Sequence, residues 1–432
     1  MRWAGKLVMV GLAWAWAFSG PAYAQGPGII SEKSARSLQE LIGDALQKNP
    51  GVKAKKMEYE ALRSKVIGSW LPEDPQVGVD VEGQPALFRF NQRMDNEYMV
   101  MQTIPFPTKL FLKGLEASRE AEIAYQRYKE EERRVVWHVE QPYYELYLSE
   151  RTLGAVEESR ELSELASKTA KAVYEAGKGS QADILKAGIE LSKNSIEIFN
   201  LKEKIHLQYA HFAHLMNESL ETPYEIKKTE ARTPLSLSRP DLEKILLRKM
   251  PELRAFEIAV ERAKVTRSLV NSQWLPDITL RYEGRQFRGD SAIRENDTFI
   301  GFSVPVWSLL KGIGGVWKSS DLDVKAAESA YLEMKNEELL KLHEAYSKVK
   351  AAENAMTIYE NSILPQAKQQ AEVALSSYEA GKADFLTLLD ANRTLRDSQI
   401  EYYKASAEYE MGLSDLRLAV GDDLGRAAHE IK

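Results

Sequence analysis

The chain of 432 residues contains no cysteine. That absence excludes disulfides, thiolate metal sites, cysteine nucleophiles and a lipid anchor on an N-terminal cysteine. Excess positive charge is missing too. Lys and Arg number 58 against 64 Asp and Glu, a net charge of −6, so general nucleic-acid binding is not expected. Glycine at 25 and proline at 16 are too sparse for a disordered or collagen-like chain. Beyond the N-terminus no stretch approaches the roughly 18 uncharged apolar residues of a transmembrane helix. Signatures of catalysis are lacking as well. There is no Gly-x-Ser-x-Gly, no His-Glu-x-x-His and no Gly-x-x-x-x-Gly-Lys phosphate loop, so neither enzymatic activity nor a cofactor is expected.

What is present begins with an export signal. Arg2 and Lys6 precede an apolar run from Leu7 to Phe18, and Ala22-Tyr23-Ala24 reads as a cleavage site. Residues 1–24 are thus expected to be a signal peptide, with Gln25 opening the mature chain. The alternative, a short membrane anchor, suffers from a run too short to span a bilayer comfortably. The mature protein is then periplasmic, secreted, or held in an outer membrane as a β-barrel.

The chain is written twice. Tyr174-Glu175-Ala176-Gly177-Lys178 returns as Tyr378-Glu379-Ala380-Gly381-Lys382, and Trp70-Leu71-Pro72 returns as Trp274-Leu275-Pro276, both 204 positions on. Ile104-Pro105 and Asn49-Pro50 have counterparts at Val304-Pro305 and Met250-Pro251. Several matches in one order at nearly one offset mean duplication. The expected organisation is a flexible lead over 25–37, a first repeat over 38–217, a linker over 218–241, a second repeat over 242–421 and a tail over 422–432. Each repeat opens with an amphipathic helix, roughly 38–69 and 241–273. Two strand-like runs follow, then a long helical stretch, a glycine turn and a second long helix. Pro142 and Pro365 are expected to kink or interrupt their helices.

The strands are expected at 76–83 and 97–104, and again at 277–284 and 298–305. Val77, Val79 and Val81 alternate with Gln76, Gly78, Asp80 and Glu82; Ile278, Leu280 and Tyr282 alternate with Asp277, Thr279, Arg281 and Glu283. Period-two alternation marks a half-buried strand. The partner strands alternate less cleanly, with Gln102 and Phe299 on the wrong faces. After each glycine turn a seven-residue spacing appears: Ile184, Leu191, Ile198, Ile205, Phe212, and Leu388, Leu395, Tyr402, Tyr409, Leu416. That spacing fits a coiled-coil seam, or an ordinary helical hairpin with a buried stripe. Four strands cannot close a membrane barrel, since such barrels start at about eight. Either copies from other chains complete it, three chains giving about twelve strands, or the hairpins form small soluble sheets.

These features resemble the TolC family of outer-membrane efflux proteins. The resemblance spans about Leu38 to Gly421. It rests on the duplicated helix–hairpin–helix layout and on the motif Tyr-x-x-Gly ahead of a Leu-x-Ala-type helix start. The motif stands at Tyr174–Gly177 before Ile184-Leu185-Lys186-Ala187, and at Tyr378–Gly381 before Leu388-Leu389-Asp390-Ala391. Gln102 to Leu110 also resembles members in which a strand runs into a long helix, with Thr108 where glycine is commoner. The resemblance implies a mainly α fold with a membrane β-barrel: a homotrimer with a shared 12-strand barrel in outer-membrane lipid and an α-helical tunnel through the periplasm. It implies a passive exit duct that docks a periplasmic adaptor and an inner-membrane pump. Many members carry an N-terminal lipidated cysteine, which is absent here. A periplasmic coiled-coil adaptor or scaffold is the competing reading, and a secreted enzyme a third.

Gly177 and Gly381 read as helix-stopping turn glycines. The resemblance places the adaptor contact at these tips, flanked by Tyr174, Lys178, Tyr378 and Lys382, which otherwise read as solvated or helix-packed. It also makes Asp390 and Asp183 candidates for a carboxylate ring at the entrance; Asp183 otherwise reads as a helix cap. His206, His211 and His214 share a helix, but solvated histidines are commoner than ligands, and no metal site is expected. Trp70 and Trp274 are either interfacial aromatics or covers for helix ends. The stretches Leu71–Pro75 and Ile104–Pro107 resemble members paired with heavy-metal pumps. That points toward heavy-metal cations over drugs, dyes or secreted proteins, without naming the cargo, adaptor or pump.

Overall fold

The computed structural model describes residues 36–82, 95–177, 179–221, 226 and 233–421. The expected signal peptide, Lys178, most of the lead, part of the linker (222–225 and 227–232) and the tail lie outside the described residues.

Helix α1 (Leu38–Lys48) opens on a reciprocal cap: the Ser37 hydroxyl accepts from the Glu40 N–H, and the Glu40 carboxylate accepts from the Ser37 N–H. The opening helix is not continuous to Ser69, as expected, but breaks at Asn49. Pro50 biases the residue before it away from helical ψ, and Asn49 sits at φ −59°, ψ 125°. The Asn49 side chain then accepts from the N–H groups of Gly51 and Val52 and starts α2 (Pro50–Ser69). The second copy repeats the break at Met250, between α5 (Arg239–Lys249) and α6 (Pro251–Ser272).

One antiparallel sheet contains all four strands in the order β1 (Gln76–Val81), β2 (Asp95–Ile104), β3 (Ile278–Phe287), β4 (Glu295–Phe302). β1 stops two residues short of its expected end, and β2 and β4 begin earlier than alternation alone suggested. β3 runs three residues further than expected, to Phe287, because the ladder with β2 continues through Gln286 and Phe287. The two copies therefore merge through the β2–β3 pairing. Among the described strands, β1 and β4 lie at the edges.

Helix α3 (Pro107–Glu175) runs unbroken for 69 residues, on the order of 100 Å. Pro142 does not interrupt it, contrary to expectation. Its neighbours Val139, Tyr143 and Leu146 are buried against α1 and α4, and that packing offsets the one hydrogen bond proline removes. α4 (Gln181–Leu215) returns along α3. In the second copy α7 (Val306–Lys311) leads through a wide turn at Gly312–Val316 into α8 (Trp317–Ile358). A second wide turn, Tyr359–Ile363, precedes α9 (Leu364–Glu379), and α10 (Phe385–Val420) returns. Pro365 falls at the second position of α9, where the wide turn accommodates its missing N–H. The heptad residues face inward as their spacing requires: none is exposed, and Phe212, Tyr409 and Leu416 are fully buried. Four apolar clusters hold the helices among the described residues, the smallest joining Ile123 of α3 to Ala255 and Ile258 of α6. One gathers α1, α3 and α4; a second gathers α5, α6, α8 and α10; a third ties the two hairpins near their turns.

Candidate membrane face and tip turns

The register decides what the sheet presents. Val77 lies opposite Val100, and Val100 opposite Tyr282; Gln102 lies opposite Leu280, and Leu280 opposite Ile300. Directly paired residues share a face. One face thus carries Val77, Val79, Val100, Leu280, Ile300 and Phe302, all exposed. Near the hairpin end the same face turns polar. The Tyr98 hydroxyl donates to Gln286 and the Tyr282 hydroxyl to Asn296, at 3.0 and 2.8 Å. The opposite face pairs charge with charge: Arg285 Nε donates to Glu97 at 2.6 Å, and Arg281 bridges Glu283 at 3.2 Å.

The two residues that spoiled the alternation find partners from other segments. Phe299 lies opposite Arg281 on the polar face, its ring 5.1 Å below the guanidinium. Gln102 sits on the apolar face, and its amide donates to the carbonyls of Glu73 and Thr103. β2 and β3 have ten residues each, the length of a tilted membrane strand. No described helix is long and apolar enough to cross a membrane.

The sheet is fastened to the helices at Asp277. Its carboxylate accepts from the Phe106 N–H at 3.0 Å and from Lys109 Nζ at 2.8 Å. Its N–H donates to the Ser303 hydroxyl, and its carbonyl accepts from the Ser303 N–H. One residue of the second copy thereby holds the start of α3 from the first. Trp70 lies edge-on to Phe111, 5.5 Å away, and its ring fills the space a Cβ on Gly114 would occupy. Trp70 thus covers a helix, whereas Trp274 remains half exposed.

At the other end are the two turns. Gly177 and Gly381 adopt φ +70° and +69°, the left-handed region glycine tolerates. Each N–H donates to the carbonyl of the tyrosine three residues earlier. Tyr174 is 45 % exposed, but Tyr378 is 7 % exposed and packs on Phe385 at 5.7 Å. Burial first, and the Asp183 carboxylate second, push the Tyr378 hydroxyl above its ordinary range. Gly381, Lys382 and Asp390 are exposed, and Asp183 is half-buried in the first turn of α4. The cap of α4 is Ser180 rather than Asp183: its hydroxyl accepts from the Ala182 N–H. Asp384 caps α10 in the corresponding position.

A cluster that no motif disclosed lies a few turns behind the tips. Glu190, 3 % exposed, receives Arg393 through two bonds at 3.0 and 2.5 Å. Arg396 stands 3.8 Å from Glu190 and donates to the fully buried Asn194 at 3.3 Å. The hydrogen bonds from Arg393 hold the Glu190 carboxyl below its usual range. Farther along α3, burial pushes Glu130 up to about 7 despite its ion pair with Arg133 at 3.0 Å. His206, His211 and His214 are exposed, and no cluster of three metal-type ligands occurs among the described residues.

The described strands thus form one four-stranded sheet with an exposed apolar face, carried on long helical hairpins. The chain shares that fold with OprN, an outer-membrane channel, at a TM-score of 0.76 and 18 % identity, covering 90 % of each chain. It shares it also with VceC, an outer membrane protein of Vibrio cholerae, at 0.75 and 16 %, covering 90 % of this chain and 96 % of that one. Residues 242–422 match the family model of the outer membrane efflux proteins. In sequence the chain is similar to the cobalt-zinc-cadmium resistance protein CzcC of Cupriavidus metallidurans, 23 % identical over 227 residues. That match spans 52 % of this chain and about half, 53 %, of the relative's length.

Proposed function

We propose that the protein is the outer-membrane channel of a tripartite efflux assembly. It is a passive duct whose sheet lies in lipid and whose helices extend into the periplasm. The observation that carries this reading is the sheet: its apolar face is exposed, its other face is ion-paired, and no further described strand lies beyond β1 or β4. An open edge in hydrocarbon leaves backbone groups without partners, at several kcal/mol each. Three copies, each pairing β4 with the β1 of its neighbour, remove every edge and give a barrel of about twelve strands. The two repeats, 38–217 and 242–421, then act as two staves per copy, joined by the linker at 218–241. The signal peptide at 1–24 delivers the chain for export.

In this reading the wall does no chemistry, and a pump in the inner membrane supplies the energy. The turns at Gly177 and Gly381 meet the periplasmic adaptor, with Tyr174, Lys178 and Lys382 at the contact. Tyr378 supports the contact from inside, because it is packed on Phe385. Asp390, exposed past the second turn, narrows the entrance as one carboxylate per copy, and Asp183 stands behind it. The similarity to a cobalt-zinc-cadmium resistance protein supports divalent metal cations as cargo.

The cysteine-free chain makes the test direct. With cysteine at Val79 on β1 and at Ile300 on β4, neighbouring copies should join through disulfides. Denaturing gels of outer-membrane fractions should then show a reducible trimer. A soluble monomer without cross-links would sink the proposal.

A further inference from the structure

We propose that Val306–Val316, the segment joining the sheet to α8, is an interfacial membrane anchor. It lies among the phospholipid headgroups on the periplasmic side of the sheet. The inference rests on the reading of the sheet as lipid-embedded, and goes beyond it by assigning a lipid-binding role to a helical segment.

The first observation is exposure. No residue of α7 is buried, and Trp307 is 76 % exposed and Ile313 68 %. Val306, Leu309, Leu310 and Val316 are exposed as well. An ordinary surface helix hides one apolar stripe and shows water a polar side. Here nearly every large side chain of the segment is apolar and uncovered. The second observation is continuity. Ile300 and Phe302 belong to the apolar sheet face, and Val306 follows Phe302 by four residues, at most about 14 Å of chain. The apolar surface therefore runs from the strands onto the helix without a polar gap, save Ser303.

Comparison of the copies supplies the third. In the first copy the corresponding chain enters α3 at once, Lys109 turns inward onto Asp277, and Gly114 is covered by Trp70. The second copy interposes the wide turn. Gly315 stands at φ +134°, open to glycine alone, and separates the axis of α7 from that of α8. Trp317 folds back over Gly312, where any Cβ would meet its ring at 2.4 Å, and so pins the bend. The chain thus spends a built kink on holding an apolar segment off the helical body. Lys311 and Lys318 are both exposed about the turn. A tryptophan with flanking lysines on an apolar helical segment is the composition that settles at a phospholipid interface, ring at headgroup depth and ammonium groups on phosphate.

Single cysteines at Leu310 and Ile313 carry a nitroxide in the full chain, reconstituted in phosphatidylethanolamine–phosphatidylglycerol vesicles. Ile300→Cys reports the sheet face, and Lys325→Cys, at an exposed position of α8, reports water. Collision with oxygen is compared with collision with a water-soluble nickel chelate. The oxygen preference at 310 and 313 should exceed that at 325 several-fold and approach that at 300. If 310 and 313 behave like 325, or both reagents are shut out because another copy covers them, the anchor is overturned while a lipid-facing 300 leaves the channel reading intact. If 300 itself prefers the nickel chelate, the channel reading fails and the anchor with it.

Discussion

The two tip turns share five consecutive residues, Tyr-Glu-Ala-Gly-Lys, yet they sit in different surroundings. Gly177 and Gly381 differ by one degree in φ, and their tyrosine carbonyls accept the same hydrogen bond. Local conformation has thus survived duplication intact. Packing has not. Tyr174 faces solvent, while Tyr378 lies in an apolar cluster with Phe385, Leu388 and three alanines of the first hairpin, Ala166, Ala170 and Ala187. The position matching Phe385 in the first copy is Gln181, which offers no ring. The lesson is that identical turns can serve one as structure and the other as surface. The second is wedged against the helices of the first, which remains uncovered on its outer side.

The sharpest way to break that comparison is to truncate both tyrosines. Tyr378→Ala removes a buried ring and should cost about 3 kcal/mol, in the range of aromatic truncations in cores. Tyr174→Ala should fall within about 0.5 kcal/mol of the parent. Thermal unfolding in detergent, followed by helical circular dichroism, checks both. Equal losses would mean that the first turn is packed as tightly as the second.

How far the sequence disclosed these features follows from the range of the interactions. The turn glycines and the inward heptad stripe depend on residues a few positions apart, and periodicity revealed them. Strand faces were legible where alternation was strict, as at Val77 to Val81. They blurred at Gln102 and Phe299, whose partners, Glu73 and Arg281, come from elsewhere in the chain. The break at Asn49 was signalled by the following proline but masked by continuous amphipathicity on both sides. Pro142 misled for the opposite reason: tertiary packing overrode its local preference. Glu190 and Arg393 lie 203 positions apart, and the repeat offers no hint, since Thr394 and Ile189 stand at their corresponding sites. A bridge with no echo in the other copy is invisible to any reading of the duplication.

That bridge sharpens the asymmetry next. Arg393→Ala leaves the buried Glu190 carboxylate with the more distant Arg396 and Lys193. The cost should be about 2 kcal/mol, below that of a fully buried pair because Arg393 is partly hydrated. The pH dependence has a definite sign. The Glu190 carboxyl is held below its unfolded range, so its contribution is present above that range and disappears as pH falls through the lowered value. The parent should therefore lose more stability on acidification than the variant, as read from urea midpoints across pH. Glu130 behaves oppositely. Its folded value is raised to about 7, so the fold is penalised progressively as pH climbs from the ordinary carboxylate range through 7. Glu130→Gln should raise the midpoint above that pH and change it little well below.

Smaller effects should restore the symmetry, since the backbone is what the turns share. Gly177→Ala and Gly381→Ala each force a Cβ into the left-handed region, at about 1 kcal/mol. Neither glycine has a neighbour within 4 Å of that Cβ, so steric crowding adds nothing and the two losses should match. A larger loss at Gly381 would show that the packed turn also resists backbone adjustment.

The caps supply the finest distinction. Ser180 accepts from the Ala182 N–H at 3.1 Å, and Asp384 accepts from the Thr387 N–H at 2.9 Å, so both satisfy an orphan donor at the start of a returning helix. Ser180→Ala should cost about 0.5 kcal/mol at any pH, because a hydroxyl does not titrate. Asp384 differs. The Thr387 hydroxyl, followed by its N–H, holds the carboxyl below the ordinary range. Its cap is therefore in force above that range and fades as pH falls through the lowered value. The two alanine variants should differ in how their destabilisation responds to acid, constant for Ser180 and vanishing for Asp384. If the Asp384 loss persists in acid, the cap acts through shape alone and the two turns differ only in their packing.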